Sequence, residues 1–203
     1  MIAVITGCGS NIGSVANALQ RLACDYQLTE DPQTIRQASH VILPGVGSAQ
    51  MAMQRLAKLQ LISVIQQLTQ PVLGICLGMQ LLYDYSAEGD TLGLGIIPGK
   101  VRSLANDLNE RRIEYPVPHM GWNQLTQCDQ AHPLWCGIAN SAYVYFVHSF
   151  YAPINDYTLA ITDYGVPFSS MIQRDNFYAM QFHPERSSEI GGKLLANFIT
   201  DQS

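Results

Sequence analysis

The chain has 203 residues, of which 47% are hydrophobic and 13% are charged, and its formal net charge is −5. This composition excludes a disordered chain. Because Lys and Arg never cluster beyond the pair Arg111 and Arg112, it also argues against a surface for nucleic acids or anionic membranes. We predict a single globular domain over residues 1–203, with some apolar surface left for a partner to cover.

In the first half of the chain, apolar strand patterns alternate with helical patterns. The predicted strands cover residues 1–6, 26–29, 40–43 and 71–75, and the predicted helical segments cover 14–23, 32–39, 51–67 and 79–85. This alternation is typical of a parallel sheet with helices on both faces.

The second half has frequent glycine and proline between Gly89 and Gly121, and short strand patterns follow. The predicted strands cover 142–147, 158–163, 168–173 and 176–181, and the predicted last helix covers 188–200. We therefore predict an α/β fold: a twisted, mostly parallel sheet flanked by helices, with an antiparallel extension.

The cysteines and the N-terminus indicate a cytoplasmic protein. The chain has five cysteines, and no two of them have the C-x-x-C spacing, so we expect neither a disulfide framework nor a structural zinc site. No apolar run approaches the roughly 20 residues that a bilayer span needs. Residues 1–6 lack the basic start of a signal peptide and resemble a first strand.

The sharpest motif is Gly74–Gly78, which has the form G-x-C-x-G at the junction of a predicted strand and a predicted helix. Glycines on both sides allow a tight turn that presents Cys76 at the edge of the sheet, as in a nucleophile elbow. The positive end of the following helix favours the thiolate form of the cysteine. The motif predicts that Cys76 is a nucleophile rather than a buried core cysteine.

A nucleophilic thiol needs a base and a group that orients the base. Of five histidines, His183 is the best candidate, because it ends an apolar strand and Glu185 follows two residues later. Residues two apart in extended backbone face the same way, so Glu185 can hold the imidazole. His119 and His148 are intermediate cases.

Together these segments resemble the class I (triad) glutamine amidotransferases: Gly74–Gln80 matches the cysteine motif and Gln181–Glu185 the histidine motif. Three further segments, Pro44–Gly47, Pro118–Asn123 and Tyr145–Ser149, are similar to those of the glutaminase subunits of imidazole glycerol phosphate synthases, enzymes of histidine biosynthesis. The resemblance covers essentially the whole chain and implies a flavodoxin-like fold.

The resemblance implies a catalytic triad without a cofactor or a metal. Cys76 attacks the side-chain amide of glutamine, His183 carries the proton, and Glu185 orients His183. The expected oxyanion donors are the backbone N–H of Leu77 and one from the Pro44–Gly47 loop, at Val46 or Gly47. The expected substrate contacts are made by Gly45, Gly47, Gln80, His148, Ser149 and Phe150.

The resemblance also implies a heterodimer with a cyclase subunit, expected to be a (β/α)₈ barrel, that receives ammonia and makes imidazole glycerol phosphate and aminoimidazole carboxamide ribotide. Asn11 and Trp122 are expected at this interface, and glutaminase activity is expected to be weak until the partner binds. Where the family often has an acidic residue, this chain has Thr6. We expect no nucleic acid and no membrane among its partners.

Several alternatives stay open from the sequence. Gly7–Gly13 loosely resembles a dinucleotide-binding turn, but its third glycine comes one residue late. The chain could also be the glutaminase subunit of another synthase, a thiol hydrolase of similar fold, or a binding module without activity. The intact Cys76, His183 and Glu185 argue against the last of these.

Overall fold

The computed structural model describes residues 1–7, 12–127 and 131–200, so the predicted interface residue Asn11 lies outside the described residues. The strands are β1 Ile2–Ile5, β2 Tyr26–Thr29, β3 His40–Gly45, β4 Val72–Cys76, β5 Tyr83–Ser86, β6 Thr91–Leu92, β7 Ile97–Ser103, β8 His119–Gln124, β9 Thr126–Gln127, β10 Tyr143–His148, β11 Phe150–Tyr151, β12 Thr158–Asp163, β13 Pro167–Arg174 and β14 Phe177–Met180. The helices are α1 Ile12–Arg21, α2 Pro32–Gln37, α3 Ala49–Lys58, α4 Ile62–Gln66, α5 Leu77–Leu81, α6 Leu104–Glu110 and α7 Ser188–Thr200.

The main sheet has eight strands in the order β2-β1-β3-β4-β14-β13-β12-β9. Strands β2, β1, β3, β4 and β14 pair in parallel. Strands β13, β12 and β9 continue the sheet through antiparallel pairs. The predicted α/β fold, with its mostly parallel sheet and antiparallel extension, is therefore confirmed.

Two smaller units lie beside the main sheet. Strands β8 and β10 form an antiparallel ribbon, and β11, β7, β5 and β6 form a four-stranded sheet. The ribbon and β11 supply part of the pocket described below.

The core occupies both faces of the main sheet. Along β1, Ile2 and Val4 belong to one buried cluster and Ala3 and Ile5 to the other, because successive residues of a strand point to opposite faces. Helices α1 and α7 pack into the first cluster and α3 into the second. A sheet covered on both faces explains why its strands are almost continuously apolar. In the described ranges, no helix combines the length and apolar character that crossing a membrane requires.

Two predicted helices were wrong in extent. The segment 51–67 forms α3 and α4 rather than one helix, because Gln60 adopts a left-handed φ of 57° and ends the first helix. The segment 79–85 was predicted as a helix, but α5 ends at Leu81 and Tyr83–Ser86 forms β5. The pairing of β5 with β7 supplies backbone hydrogen bonds that the local pattern does not reveal.

Candidate active site

Cys76 stands at the carboxyl end of β4, directly before α5. Its backbone has φ 53° and ψ −108°, an uncommon conformation for a residue with a side chain. Parallel strands β3 and β14 flank β4, so the ends of three neighbouring strands converge here. This edge of an open α/β sheet is where ligands usually bind.

The glycines around Cys76 allow close packing as well as a turn. A Cβ atom added to Gly78 would lie 1.8 Å from the carbonyl oxygen of Leu43, and one added to Gly74 would lie 2.8 Å from the carbonyl oxygen of Gly78. Gly45 is similar, since its added Cβ would lie 2.9 Å from Leu77 Cβ. Helix α5 can therefore touch β3 and β4 only with glycine at these positions.

His183 follows β14, and Glu185 lies beside it as the spacing predicted. His183 Nδ1 is 2.8 Å from Glu185 Oε1, and both side chains are buried. Burial lowers the pKa of His183, but its interactions with Cys76 and Glu185 outweigh burial and raise that pKa to about 10. Because Glu185 engages Nδ1, Nε2 is the ring nitrogen left to serve Cys76.

A pocket of about 320 Å³ opens over Cys76. Its wall is made by residues from β10, β11, α5, the turn after β3 and the segments around them: Val46, Gly47, Cys76, Leu77, Gln80, Glu88, Pro118, Val147, His148, Ser149, Phe150 and His183. Nine of these twelve were predicted as site residues. Glu185 lies behind His183, and Gly45 packs against Leu77 rather than forming part of the wall.

Gln80 joins two walls of the pocket. Its Nε2 donates hydrogen bonds to the Phe150 carbonyl at 2.8 Å and to Gln181 Oε1 at 3.0 Å. Gln181 Nε2 in turn lies 3.8 Å from Cys76 Sγ. Gln80 is thus a fixed part of the pocket, and its contact with substrate stays a prediction.

Among the wall residues, sequence reasoning missed Glu88, Pro118 and Val147, and it also missed Gln181 beside the wall. Gln181 carried a usable signal, because it precedes His183 by two residues and so faces the same side of the extended segment. Glu88 gave none, since it lies in a polar turn before β6 and reaches the pocket only through folding. Its Oε2 accepts a hydrogen bond from the Ala49 N–H at 2.8 Å.

His148, a wall residue, forms a buried pair with His119 behind it, and His119 Nδ1 is 2.9 Å from His148 Nε2. Burial lowers the pKa of His119 to about 4. Burial, with a smaller contribution from the charge of His119, lowers the pKa of His148 to about 3. Both rings are therefore neutral at pH 7.

Acid is expected to destabilise the fold through this pair. Because both pKa values lie below the 6.5 of a free histidine, the unfolded chain binds more protons below that pH. The free energy of unfolding should therefore fall as the pH drops from 6.5 towards 4. Urea unfolding at pH 7 and at pH 5 measures this fall in the free energy of unfolding. In His119→Phe the fall should be about 2 kcal/mol smaller than in the unsubstituted chain. If the free energy of unfolding falls equally in the two proteins, the lowered pKa of His119 is contradicted.

The ribbon of β8 and β10 presents an apolar outer face beside the site. Met120, Trp122 and Tyr143 are 61%, 53% and 56% exposed. Tyr145 pairs with Trp122 across the ribbon, and their ring centroids are 6.1 Å apart. Trp122 was predicted at a partner interface, and the structure places it in this exposed aromatic row.

Chemically, the site combines a thiol, an imidazole and a carboxylate with a pocket for a small molecule. Such an arrangement supports attack of the thiol on a carbonyl carbon and proton transfer to the leaving group.

Comparison with known proteins agrees with this chemistry. The family described as glutamine amidotransferase class-I matches residues 4–202. The chain is 50% identical to imidazole glycerol phosphate synthase subunit HisH 2 of Legionella pneumophila strain Lens, over 100% of this chain and 99% of that protein. It is 48% identical to imidazole glycerol phosphate synthase subunit HisH of Pasteurella multocida, over 98% of this chain and 96% of that protein.

Solved structures share the fold at lower identity. The crystal structure of a glutamine amidotransferase matches with a TM-score of 0.73 and 15% identity, over 98% of this chain and 96% of that one. The glutaminase domain of Trypanosoma brucei CTPS matches with a TM-score of 0.67 and 14% identity, over 100% and 94%. The family match over residues 4–202 shows that this chain belongs to the class-I glutamine amidotransferases.

Proposed function

We propose that the chain is the glutaminase subunit of an imidazole glycerol phosphate synthase and that Cys76, His183 and Glu185 are its catalytic residues. The observation that carries the proposal is the buried pair of His183 and Glu185 beside Cys76 in a pocket of suitable size. Relatives at 50% and 48% identity over nearly the whole chain, both named as subunits of that synthase, support the choice of reaction.

In this mechanism the Cys76 sulfur attacks the side-chain amide carbon of glutamine and forms a tetrahedral oxyanion. The imidazolium of His183 then gives its proton to the amide nitrogen, the C–N bond breaks, and ammonia leaves. Water next attacks the thioester carbon, losing a proton to His183; the C–S bond then breaks, glutamate is released, and the Cys76 sulfur and the His183 imidazolium are restored. Glu185 keeps His183 oriented and stabilises its charged form.

The oxyanion needs hydrogen-bond donors. The backbone N–H of Leu77, which starts α5, is one, and Val46 or Gly47 supplies the other. Gly47 has a φ of 103°, and in the part of the chain that the structure describes no heavy atom outside its two chain neighbours lies within 4 Å of the place where its Cβ would be. The peptide before Gly47 therefore has room to turn its N–H into the pocket. Loss of one oxyanion donor typically lowers the rate by about 10²–10³.

The pocket wall also suits the charged end of glutamine. Glu88 is the carboxylate among the described wall residues and fits the α-ammonium group, while Gly47, Ser149 and Phe150 border the same space. Gly45 shapes this end of the pocket by allowing close contact with Leu77. We therefore keep Gly47, Gln80, His148, Ser149 and Phe150 as proposed substrate-binding residues, and Gly45, which lies outside the wall, stays in the proposed set through its contact with Leu77.

The proposed partner is a (β/α)₈-barrel cyclase subunit in the cytoplasm, which receives ammonia directly. The exposed Met120, Trp122 and Tyr143, with the half-buried Tyr145 on the same face, suit such an interface, because aromatic residues and Met are enriched in protein contacts. Asn11 is proposed as a further contact. All 203 residues are assigned to one domain, since both apolar clusters cover the same main sheet.

Glutamate release, measured with and without the purified cyclase subunit, tests this proposal. Weak activity alone and a strong rise with the liganded cyclase are expected. High activity without the partner would contradict the regulated subunit. Binding to a different synthase, with no binding to the cyclase, would reassign the chain to another glutaminase complex.

Replacing Trp122 by alanine is expected to weaken binding to the cyclase by about 30-fold, because a buried aromatic anchor commonly contributes about 2 kcal/mol or more. Leu92→Ala is the matched control, since Leu92 is 75% exposed but belongs to another sheet. Calorimetric titration measures both affinities. If the Trp122 and Leu92 variants bind alike, the ribbon is not the interface.

A further inference from the structure

A continuous line of hydrogen bonds runs from the β8 strand to the pocket wall. Asn123 Nδ2 lies 3.0 Å from the Asp163 carbonyl and 3.3 Å from His119 Nε2. His119 Nδ1 is 2.9 Å from His148 Nε2, and His148 Nδ1 is 2.8 Å from the Phe150 carbonyl oxygen. No step of the mechanism above uses His119.

The direction of every bond in this line follows from its last acceptor. A carbonyl oxygen can only accept, so Nδ1 of His148 carries the proton and donates to Phe150. A neutral ring has one N–H, so Nε2 of His148 must accept, and Nδ1 of His119 must donate to it. Nε2 of His119 is then an acceptor, and the Asn123 side-chain amide donates a hydrogen bond to it.

The surroundings of His119 hold it in this role. Its ring stacks on Tyr164, with centroids 4.1 Å apart, and on Phe146 at 4.9 Å. Its exposed fraction is 3% and that of His148 is 5%. Aromatic packing fixes the rotamer, and burial keeps both rings uncharged, as their lowered pKa values indicate.

The line of hydrogen bonds ends at the Phe150 carbonyl, in the pocket wall. The Phe150 carbonyl accepts from His148 and also from Gln80, which is tied to Gln181. The same stretch of backbone contains the Val147 carbonyl, 3.8 Å from Cys76 Sγ. Fixing His148 therefore fixes the wall formed by residues 147–150.

We propose that His119 is a positioning residue of the glutaminase site: by donating to His148 Nε2 it stabilises the Nδ1–H form of that ring, which donates to the Phe150 carbonyl, and so helps to hold this carbonyl against Gln80. This inference rests on the proposed function, because it assigns the wall formed by residues 147–150 to glutamine binding. His119 is not among the described residues that line the pocket, so it acts through His148.

Nitrogen NMR of the imidazole rings in the full-length chain tests the bond directions without any substitution. At pH 7 we expect His148 to be neutral and protonated on Nδ1, with His119 also protonated on Nδ1. A His148 ring protonated on Nε2, or on both nitrogens, would overturn the proposal.

Two variants separate hydrogen bonding from packing. His119→Phe keeps an aromatic ring but removes the donor, whereas His119→Asn loses the ring but keeps an N–H at the same distance from the backbone. In the complex with saturating cyclase, His119→Phe should raise KM for glutamine about tenfold with kcat changed less than about threefold, and should shift His148 away from a single Nδ1–H form. His119→Asn should bring KM most of the way back to the value of the unsubstituted chain and should restore the Nδ1–H signal of His148.

Two results would overturn the proposal. One is that His119→Phe has the KM and the His148 spectrum of the unsubstituted chain, and the other is that His119→Asn is no closer to the unsubstituted chain than His119→Phe. Failure of the proposed function is a different result. In that case the unsubstituted chain, with cyclase present, would release no glutamate from glutamine at all.

Discussion

Cys76→Ala is expected to lower glutamate release by about 10⁴-fold or more, both in the isolated chain and in the complex. Without the thiol no thioester can form, and the remaining pocket can only bind glutamine. Steady-state release of glutamate, with and without cyclase, measures the loss.

Cys24→Ala is the matched control for this substitution. Cys24 is a half-buried free cysteine that lies outside the pocket wall, so its loss should leave turnover nearly unchanged. If Cys76→Ala supports the same glutamine-dependent turnover as the unsubstituted chain, the thiol mechanism is wrong.

Gly78→Ala is expected to lower the free energy of unfolding by about 3 kcal/mol or more and to abolish activity. The added Cβ would lie 1.8 Å from the Leu43 carbonyl oxygen, so helix α5 would have to move away from β3. This movement would displace Leu77 and Cys76 together.

Gly192→Ala is the control for this prediction. Gly192 lies inside α7, and beyond its chain neighbours and the backbone of its own helix no heavy atom of the described residues stands within 4 Å of its added Cβ. Alanine there should stabilise the helix by about 0.5–1 kcal/mol. Urea unfolding of both variants measures the difference, and a Gly78 variant as stable as the Gly192 variant would contradict the packing described for the elbow.

The parallel core and the contact between His183 and Glu185, two of the proposed catalytic residues, were predictable because their signals are local. Buried strands followed by helices identify a parallel sheet, and the G-x-C-x-G motif at Gly74–Gly78 indicates a strand-to-helix turn by itself. The two-residue spacing of His183 and Glu185 was enough to predict their contact, now observed at 2.8 Å.

The four-stranded sheet was not predictable in the same way. Strand β5 looked like the end of a helix, and its strand conformation depends on pairing with β7, more than ten residues later. Glu88 reaches the pocket for a similar reason, since its side chain bonds the start of α3, 39 residues earlier in the chain. Contacts between distant segments leave no periodic trace in the sequence.

One face of the ribbon of β8 and β10 carries a row of exposed apolar side chains. Trp122 was singled out by resemblance alone, but strand alternation in β8 and β10 adds Met120, Tyr143 and Tyr145 to the same face. The opposite face of that ribbon holds His119 and His148. A single two-stranded element therefore carries both the proposed interface and the support of the pocket wall.

Labelling with a glutamine-analogue electrophile, followed by mass spectrometry of the intact chain and its peptides, tests the central claim most directly. We predict one adduct, on Cys76 among the five cysteines, formed more slowly in the presence of excess glutamine. An adduct on another cysteine, or labelling of Cys76 that glutamine does not slow, would contradict the proposed mechanism.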